Sequence, residues 1–190
     1  MSNLSERLLA GVQNMLTKRR WNSTIPPISP YPQSKLIELE SKIGNVYMTQ
    51  DTEEKVLLFI PSIVDGVLEK IKNEQTHYLY FLMEHHDCSH AIVPYSSLAP
   101  QASEVLKSHS FYTVELFPYK SLLFDATVHK FVPPHTLLSE QEAKFELGTI
   151  KISELPFISV DDVVVRFFSW KKGSVIRIRR DEGVVYRVVS

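Results

Sequence analysis

Apolar side chains recur along the chain with two periods, and the switches between them mark out elements. Leu4, Leu8, Val12 and Met15 share one face at helical spacing, and Ser2 or Asn3 is placed to cap that helix. Lys18, Arg19 and Arg20 close it, where cations suit the negative end of the helix dipole. Four prolines between positions 26 and 32 then hold the chain extended and exclude a helix. Residues 45–49 and 55–60 read as strands joined by a charged turn over 51–54. Ser62, with Asp65 three residues later, predicts a helix start whose buried stripe is Ile63, Val67, Leu68 and Ile71. Residues 77–83 are aromatic or apolar at nearly every position, which predicts a central strand buried on both faces. Residues 91–93 give the next strand, with the polar segment 84–90 as the hairpin turn between the two. Pro100 suits the first turn of a helix running to about Lys107, and 111–117 form a further strand ended by Pro118. A mixed sheet flanked by helices, an α/β domain, satisfies this order.

From Val128 onward the elements shorten. Pro133-Pro134 is followed by a helix start at Ser139-Glu140-Gln141-Glu142, then Leu155-Pro156 and an apolar helix over 163–168. Gly173 and Gly183 punctuate two strands over 175–179 and 184–189, the grammar of a small α+β unit. In the first of these strands Ile176 and Ile178 would face a core while Arg177 and Arg179 face outward. We place the boundary near residue 127, giving domains 1–127 and 128–190.

Composition narrows the class without naming a function. At 44% hydrophobic and 23% charged residues the chain is typical of a soluble globular protein, and its longest apolar runs fall far short of a bilayer span. No leader-like segment opens it, and its single cysteine, Cys88, cannot form an internal disulfide, so we expect an intracellular protein and an idle Asn22-Ser23-Thr24 sequon. A formal net charge of -1 gives no global attraction to nucleic acid or membrane. The bias is local: residues 161–190 carry seven basic side chains against four acidic ones.

Candidate chemistry is thin. The run Glu84-His85-His86-Asp87-Cys88-Ser89-His90 holds metal-ligand residue types, but His85 and His86 are adjacent and no second ligand pair stands at the required spacing. Glu40-Ser41-Lys42 and Glu53-Glu54-Lys55, with Asp51 nearby, match half of a metal-dependent nuclease site, in which two carboxylates hold the ion and lysine orients water. The same spacing is common in any solvated charged turn. No Gly-x-Ser-x-Gly elbow or phosphate-cradling glycine loop occurs, so we expect no catalytic residue, metal or cofactor. Binding remains, through the helix start at Pro100 or the basic stretch of Lys171, Lys172 and 177–180. Charge alone does not choose between protein and nucleic acid.

Three stretches carry a resemblance. The first is His129-Lys130-Phe131-Val132-Pro133-Pro134-His135, followed by Leu137-Leu138-Ser139-Glu140-Gln141-Glu142. The second is Leu155-Pro156-Phe157-Ile158 with Asp161-Asp162-Val163-Val164-Val165-Arg166-Phe167-Phe168. The third is Lys171-Lys172-Gly173-Ser174-Val175-Ile176-Arg177-Ile178-Arg179-Arg180, closed by Tyr186-Arg187-Val188-Val189. In this order the C-terminal third resembles the small assembly subunit of eukaryotic and archaeal RNA polymerases, the family of eukaryotic subunit 5 and its archaeal counterpart. Ala99-Pro100-Gln101-Ala102 stands where that family has Thr-Pro-Ser-Ala beside downstream DNA, with Pro100 and Ala102 agreeing. The family's Asp-Pro-Val-Ala motif has Asp162 in place of its proline here, and the stretches from Glu142 to Leu155 and from Arg180 to Gly183 are short.

The resemblance implies a non-catalytic subunit of a multisubunit DNA-directed RNA polymerase. Residues 128–190 would be an assembly domain docking on the largest subunit through Ile158, Val163, Arg166, Phe167 and Lys172. Residues 1–127 would be a nuclease-like, non-catalytic jaw domain that brings Ala99, Pro100, Gln101 and Ala102 near downstream duplex DNA. Neither a membrane nor a small-molecule substrate is implied. The chain would reside in the nucleus if cellular, and in a virus factory, virion or host cytoplasm if a large DNA virus encodes it. The rival is a nuclease centred on Asp51, Glu53 and Lys55.

Overall fold

Asn3 caps the first helix, α1 (Leu4–Lys18), in a reciprocal box: its side chain accepts a backbone N–H while Glu6 accepts the Asn3 N–H at 3.1 Å. Leu8, Val12, Met15 and Leu16 are fully buried, three of the four positions the spacing predicts with Leu16 added, while Leu4 is half-buried. The helix stops at Arg20, in the left-handed region at φ 60°, and the Trp21 N–H turns back to the Leu16 carbonyl at 2.9 Å. The structure, a computed structural model, describes residues 3–27, 44–49, 55–108 and 111–190. Two compact units result, Met1–Phe124 and Asp125–Ser190.

In the first unit the chain continues through β1 (Gly44–Met48), β2 (Val56–Pro61), the short strands β3 (Ile63–Val64) and β4 (Val67–Leu68), and α2 (Asn73–His85). It then forms β5 (His90–Tyr95), α3 (Pro100–Ser108), β6 (Thr113–Pro118) and the single turn α4 (Tyr119–Leu122). The main sheet has the order β1-β2-β5-β6, antiparallel at β1/β2 and parallel elsewhere. Strand alternation assigns its two faces. Leu57, Phe59, Ala91 and Val93, in register with Val46 and Val114, form one face and pack with Leu79, Leu82 and Met83 of α2 and Ala102 of α3. The opposite phase carries Asn45, Tyr47, Leu58, Ile92 and Glu115, and α1 lies there: Ser5 bonds Asn45 and Tyr47, and Arg19 bonds Glu115. A helix-flanked mixed sheet is therefore present, with β2 buried at all six positions. Each fully buried Leu, Val or Phe contributes about 1.5–3 kcal/mol.

Three sequence expectations give way here. The helix expected after Ser62 is a hairpin, β3 paired with β4, because Asp65 and Gly66 both adopt positive φ, 51° and 76°, as a two-residue turn between twisted strands requires. Residues 77–83 are not a strand but part of α2. Leu79, Tyr80, Leu82 and Met83 are buried while Phe81 and His85 are exposed, a helical rather than a continuous burial pattern. The segment 84–90 is consequently a helix-to-strand turn and not a hairpin turn. Asp87 is left-handed at φ 51°, and the Cys88 N–H returns to the Met83 carbonyl at 2.8 Å. The charged turn over 51–54 and most of the proline-rich segment lie outside the described residues.

The second unit is a four-stranded sheet of β7 (His135–Leu137), β8 (Phe157–Ile158), β9 (Val175–Arg180) and β10 (Gly183–Val189), in the order β7-β9-β10-β8. The β8/β10 pair is parallel and the others antiparallel. Its two helices take opposite faces. Helix α5 (Glu140–Leu147), capped by Ser139, buries Ala143 and Leu147 with Leu138, Leu155, Val175 and Val188. Helix α6 (Val163–Phe168) sets Val165 on Ile176, Ile178 and Val189, with Ile158 and Trp170 against them. The alternation expected of residues 176–179 holds: Ile176 and Ile178 are 0% and 2% exposed, and Arg179 points out.

Candidate functional site

The two faces of the second unit are covered unequally. Helix α6 has six residues, too short to cover a four-stranded sheet, so part of its face stays open as a groove of about 320 Å³. Strand phase identifies the floor. Ile178 lies in register with His135 of β7, and Arg180 and Arg187 share the phase of the buried Ile176 and Ile178 rather than the outward phase of Arg177 and Arg179. Phe131, Val132 and Pro133 form one wall, and Val163 and Val164 of α6 the other, with Ile158 beside them. Phe131 stays 78% exposed, and the Lys130 ammonium stands 4.7 Å from its ring centroid.

The polar groups around the groove are mostly fixed. Asp162 Oδ1 accepts the Val164 N–H at 2.9 Å and the Val165 N–H at 3.3 Å, so it caps α6 where the family motif has proline. Arg187 donates to the Phe157 carbonyl at 2.9 Å. His135 Nδ1 lies 2.6 Å from the Pro133 carbonyl, which can only accept, so the ring proton sits on Nδ1. On the other face Arg177 and the Tyr186 hydroxyl both donate to Glu146, at 2.7 and 2.9 Å, and the hydrogen bond to that carboxylate pushes the Tyr186 phenol up from its ordinary value.

Of the residues expected at a subunit interface, Ile158 and Val163 line the groove, Val163 at 43% exposure. Arg166 is half-buried on α6, Lys172 is exposed in the turn before β9, and Phe167 is 6% exposed with its ring edge against Phe168. Of the residues expected beside DNA, Pro100 and Gln101 are exposed at the start of α3, Ala99 is half-buried, and Ala102 is fully buried in the core. Ala99 is tied to Ile71 through an N–H···O bond of 2.9 Å and accepts the Ser103 N–H at 3.0 Å, and the first-turn N–H groups of Gln101 and Ala102 have no partner within a helix. Sequence reasoning missed Phe131, His135, Arg180 and Arg187. For Arg180 a signal existed, since it continues the phase of Ile176 and Ile178.

The other candidate chemistry is described only in part. Asp51 and Glu53, like Glu40 and Lys42, lie outside the described residues, and Lys55 donates to the His86 carbonyl at 2.9 Å. Among the described residues no group of three His, Cys, Asp or Glu side chains converges to hold a metal. Cys88 is 3% exposed with its Sγ 3.1 Å from two carbonyls, and burial pushes its thiol up, away from the reactive thiolate. His86 is held below its ordinary value by burial first, then by His85 and Lys55.

One charged cluster in the first unit was invisible in the sequence. Arg19 holds Glu115 with two bonds of 2.7 and 2.8 Å, and His90 Nε2 stands 2.6 Å from the same carboxylate. The Arg19 guanidinium lies 5.0 Å from the Trp21 ring centroid. Burial raises the Glu115 carboxyl, but the hydrogen bonds and charges of His90 and Arg19 override it and bring the pKa from 4.5 to about 2. The cluster clamps the end of α1 to the edge strand β6.

The model of the family described as RNA polymerase Rpb5, C-terminal domain, matches residues 124–189. DNA-directed RNA polymerases I, II, and III subunit rpabc1 of Dictyostelium discoideum is 27% identical over 166 residues, covering 84% of this chain and 82% of that protein. DNA-directed RNA polymerase subunit 5-like protein 1 of Arabidopsis thaliana is 32% identical over 93 residues, 48% of this chain and 44% of that one. DNA-directed RNA polymerase subunit Rpo5 of Staphylothermus marinus is 43% identical over 68 residues, 32% of this chain and 75% of the archaeal one. The chain belongs to the Rpb5/Rpo5 family, the accessory subunit 5 of multisubunit DNA-directed RNA polymerases.

Proposed function

We propose that the second unit docks the chain on the largest polymerase subunit, while the first unit, nuclease-like in fold but without catalysis, forms part of the jaw beside downstream DNA. The domains would divide at 1–127 and 128–190, as read from the sequence. The observation that carries the docking half is where apolar surface collects. Of 16 large apolar side chains exposed among the described residues, 11 belong to the smaller second unit, among them Phe131, Phe145, Phe157 and Val163. Exposed apolar surface concentrated on a small unit marks that unit as the one another protein covers. Arg166 and Lys172 would sit at its rim.

The DNA half rests on less. The start of α3 has no acidic residue in its first turn, so its backbone N–H groups suit a phosphate without local repulsion. With few phosphates contacted, binding by the free chain should be weak and steeply salt-dependent. In a cell the chain would work in the nucleus, and if a virus encodes it, in a virus factory, virion or host cytoplasm.

A tagged pull-down from the source cells or particles, read by mass spectrometry, tests the docking. Near-equal recovery of the two large polymerase subunits at moderate salt is expected, and Arg166→Glu and Lys172→Glu should reduce it by misplacing charge at the rim. Recovery of the chain alone, or with unrelated partners, would sink the reading. Incubation of the pure chain with DNA and magnesium or manganese should give no cleavage. Cleavage lost in Asp51→Ala would favour the nuclease instead.

A further inference from the structure

We propose that the half-covered groove beside α6 is the receptor for one short acidic–apolar segment of the docking partner, with a large apolar side chain on Ile178, Phe131 and Val163 and an adjacent carboxylate at Arg180 and Arg187. The inference rests on the docking reading above and names the chemistry that the partner must bring.

Size comes first. About 320 Å³ lies at the small end of ligand-binding cavities, enough for one or two side chains and far too little for a helix laid lengthwise. The partner's contribution is therefore a local anchor. Lining chemistry comes second: Phe131, Val163 and Ile158 leave apolar surface that water covers poorly, so the anchor is apolar.

Charge decides the flank. Two arginines line the groove, and Lys130 stands over the Phe131 ring. The single acidic lining residue, Asp162, caps α6 through Oδ1 and forms no ion pair with either arginine. Asp181 and Glu182, in the hairpin turn, are not among the lining residues. A lysine- or arginine-bearing segment would meet like charge, whereas a carboxylate would find a planar guanidinium able to take two hydrogen bonds. Phosphate would satisfy the arginines equally but leave the apolar floor exposed, which favours a protein segment over nucleic acid.

The test places the photo-crosslinker p-benzoylphenylalanine at Val163, 43% exposed on the groove wall, in the full-length tagged chain expressed in the source cells. After irradiation the crosslinked peptide is sequenced. The expected product joins Val163 to a segment of the largest subunit that carries a large apolar residue within a few positions of an Asp or Glu. Crosslinking to a basic segment, to nucleic acid, or to a different polymerase subunit overturns the proposal. A second arm compares Arg180→Glu and Phe131→Ser, both exposed positions in the groove, with Arg179→Glu and Phe111→Ser, exposed outside it. The groove pair should lower recovery of the large subunits about tenfold or more, and the outside pair less than twofold. Unchanged recovery in the groove pair, with the wild-type chain still recovering polymerase, overturns the groove and leaves docking intact. Failure of the wild-type chain itself to recover polymerase refutes the docking reading and the groove with it.

Discussion

Replacing Glu115 with Gln should destabilise the first unit by about 3 kcal/mol at neutral pH, and two independent routes give that size. The carboxyl falls from 4.5 to about 2 on folding, and at roughly 1.4 kcal/mol per tenfold change in proton affinity this is worth about 3 kcal/mol. The structural route gives the same order. The Arg19 side chain is 2% exposed and Glu115 12%, and removing one partner of a buried pair costs about 3–5 kcal/mol because the other charge stays buried without its countercharge. Gln keeps one carbonyl acceptor, which holds the expectation at the lower end. The sign with pH follows from a depressed carboxyl. The stabilisation is complete above the unfolded value near 4.5 and is lost as pH falls through about 2, so the parent protein should lose stability across that window.

Urea unfolding is the assay, followed through Trp21, which stacks by the Arg19 guanidinium, in a Trp170→Phe background so that the second unit is silent. Two tryptophans in the whole chain make this separation possible. The Glu115→Gln variant should show a lower midpoint at pH 7 and a flattened acid slope between pH 4.5 and 2. Removing both charges in Arg19→Met/Glu115→Leu should recover more than half of the loss, since a buried pair compared with an apolar pair is nearly neutral. A single variant within about 1 kcal/mol of the parent, with its acid slope intact, would refute the argument, because taking the carboxylate from a buried guanidinium cannot be that cheap.

Gly11→Ala should destabilise the first unit by about 1–3 kcal/mol in thermal unfolding. Its Cβ would stand 1.9 Å from the Leu122 carbonyl oxygen where α1 crosses α4, and a neutral variant would mean the helices do not approach so closely. Tyr186 should titrate above 10 by ultraviolet absorbance and return toward 10 in Glu146→Gln, and no difference between the two would disprove the 2.9 Å hydrogen bond. Asp162→Ala should cost about 1 kcal/mol as α6 loses its cap, while Asp162→Asn, which keeps an acceptor, should lose much less. Equal losses in the two would mean that charge, not capping, is what Asp162 supplies.

What the sequence revealed depended on how many residues had to agree. Helix α1 was legible because cap, apolar stripe and basic end coincide within one short stretch, and the 176–179 alternation because only one phase buries isoleucine. Residues 77–83 misled because an unbroken apolar run fits a buried strand and a helix equally. Only the exposure of Phe81 and His85, four apart, separates the two, and that is a tertiary fact. The hairpin after Ser62 was legible in principle, since Asp65-Gly66 is a strong two-residue turn signal, but a plausible cap one turn earlier outweighed it. The Arg19–Glu115–His90 cluster was not legible at all: its members are separated by up to 96 residues and meet only through sheet order. In the second unit the family motifs were legible, yet the groove was not, because it is made by what α6 fails to cover.

That incomplete cover connects the energetics of the second unit to the proposed docking. The sheet divides the apolar core in two, one cluster around Leu138, Leu147 and Leu155 on the α5 side and another around Val165, Ile176 and Ile178 on the α6 side. A domain of this size has little stability to spare, since small units bury a smaller share of their surface. Lengthening α6 by a turn would close the groove and add buried area, but Ser169 ends the helix in the left-handed region at φ 55°, stacking Trp170 on Phe168 at 4.8 Å instead. Apolar area kept in water by a helix stop is area that a partner can remove from water on binding, at about 25 cal/mol per Å² before the losses of association. On this argument stability given up by the free chain returns when it assembles, and the isolated subunit should melt at lower temperature than the same chain within the polymerase.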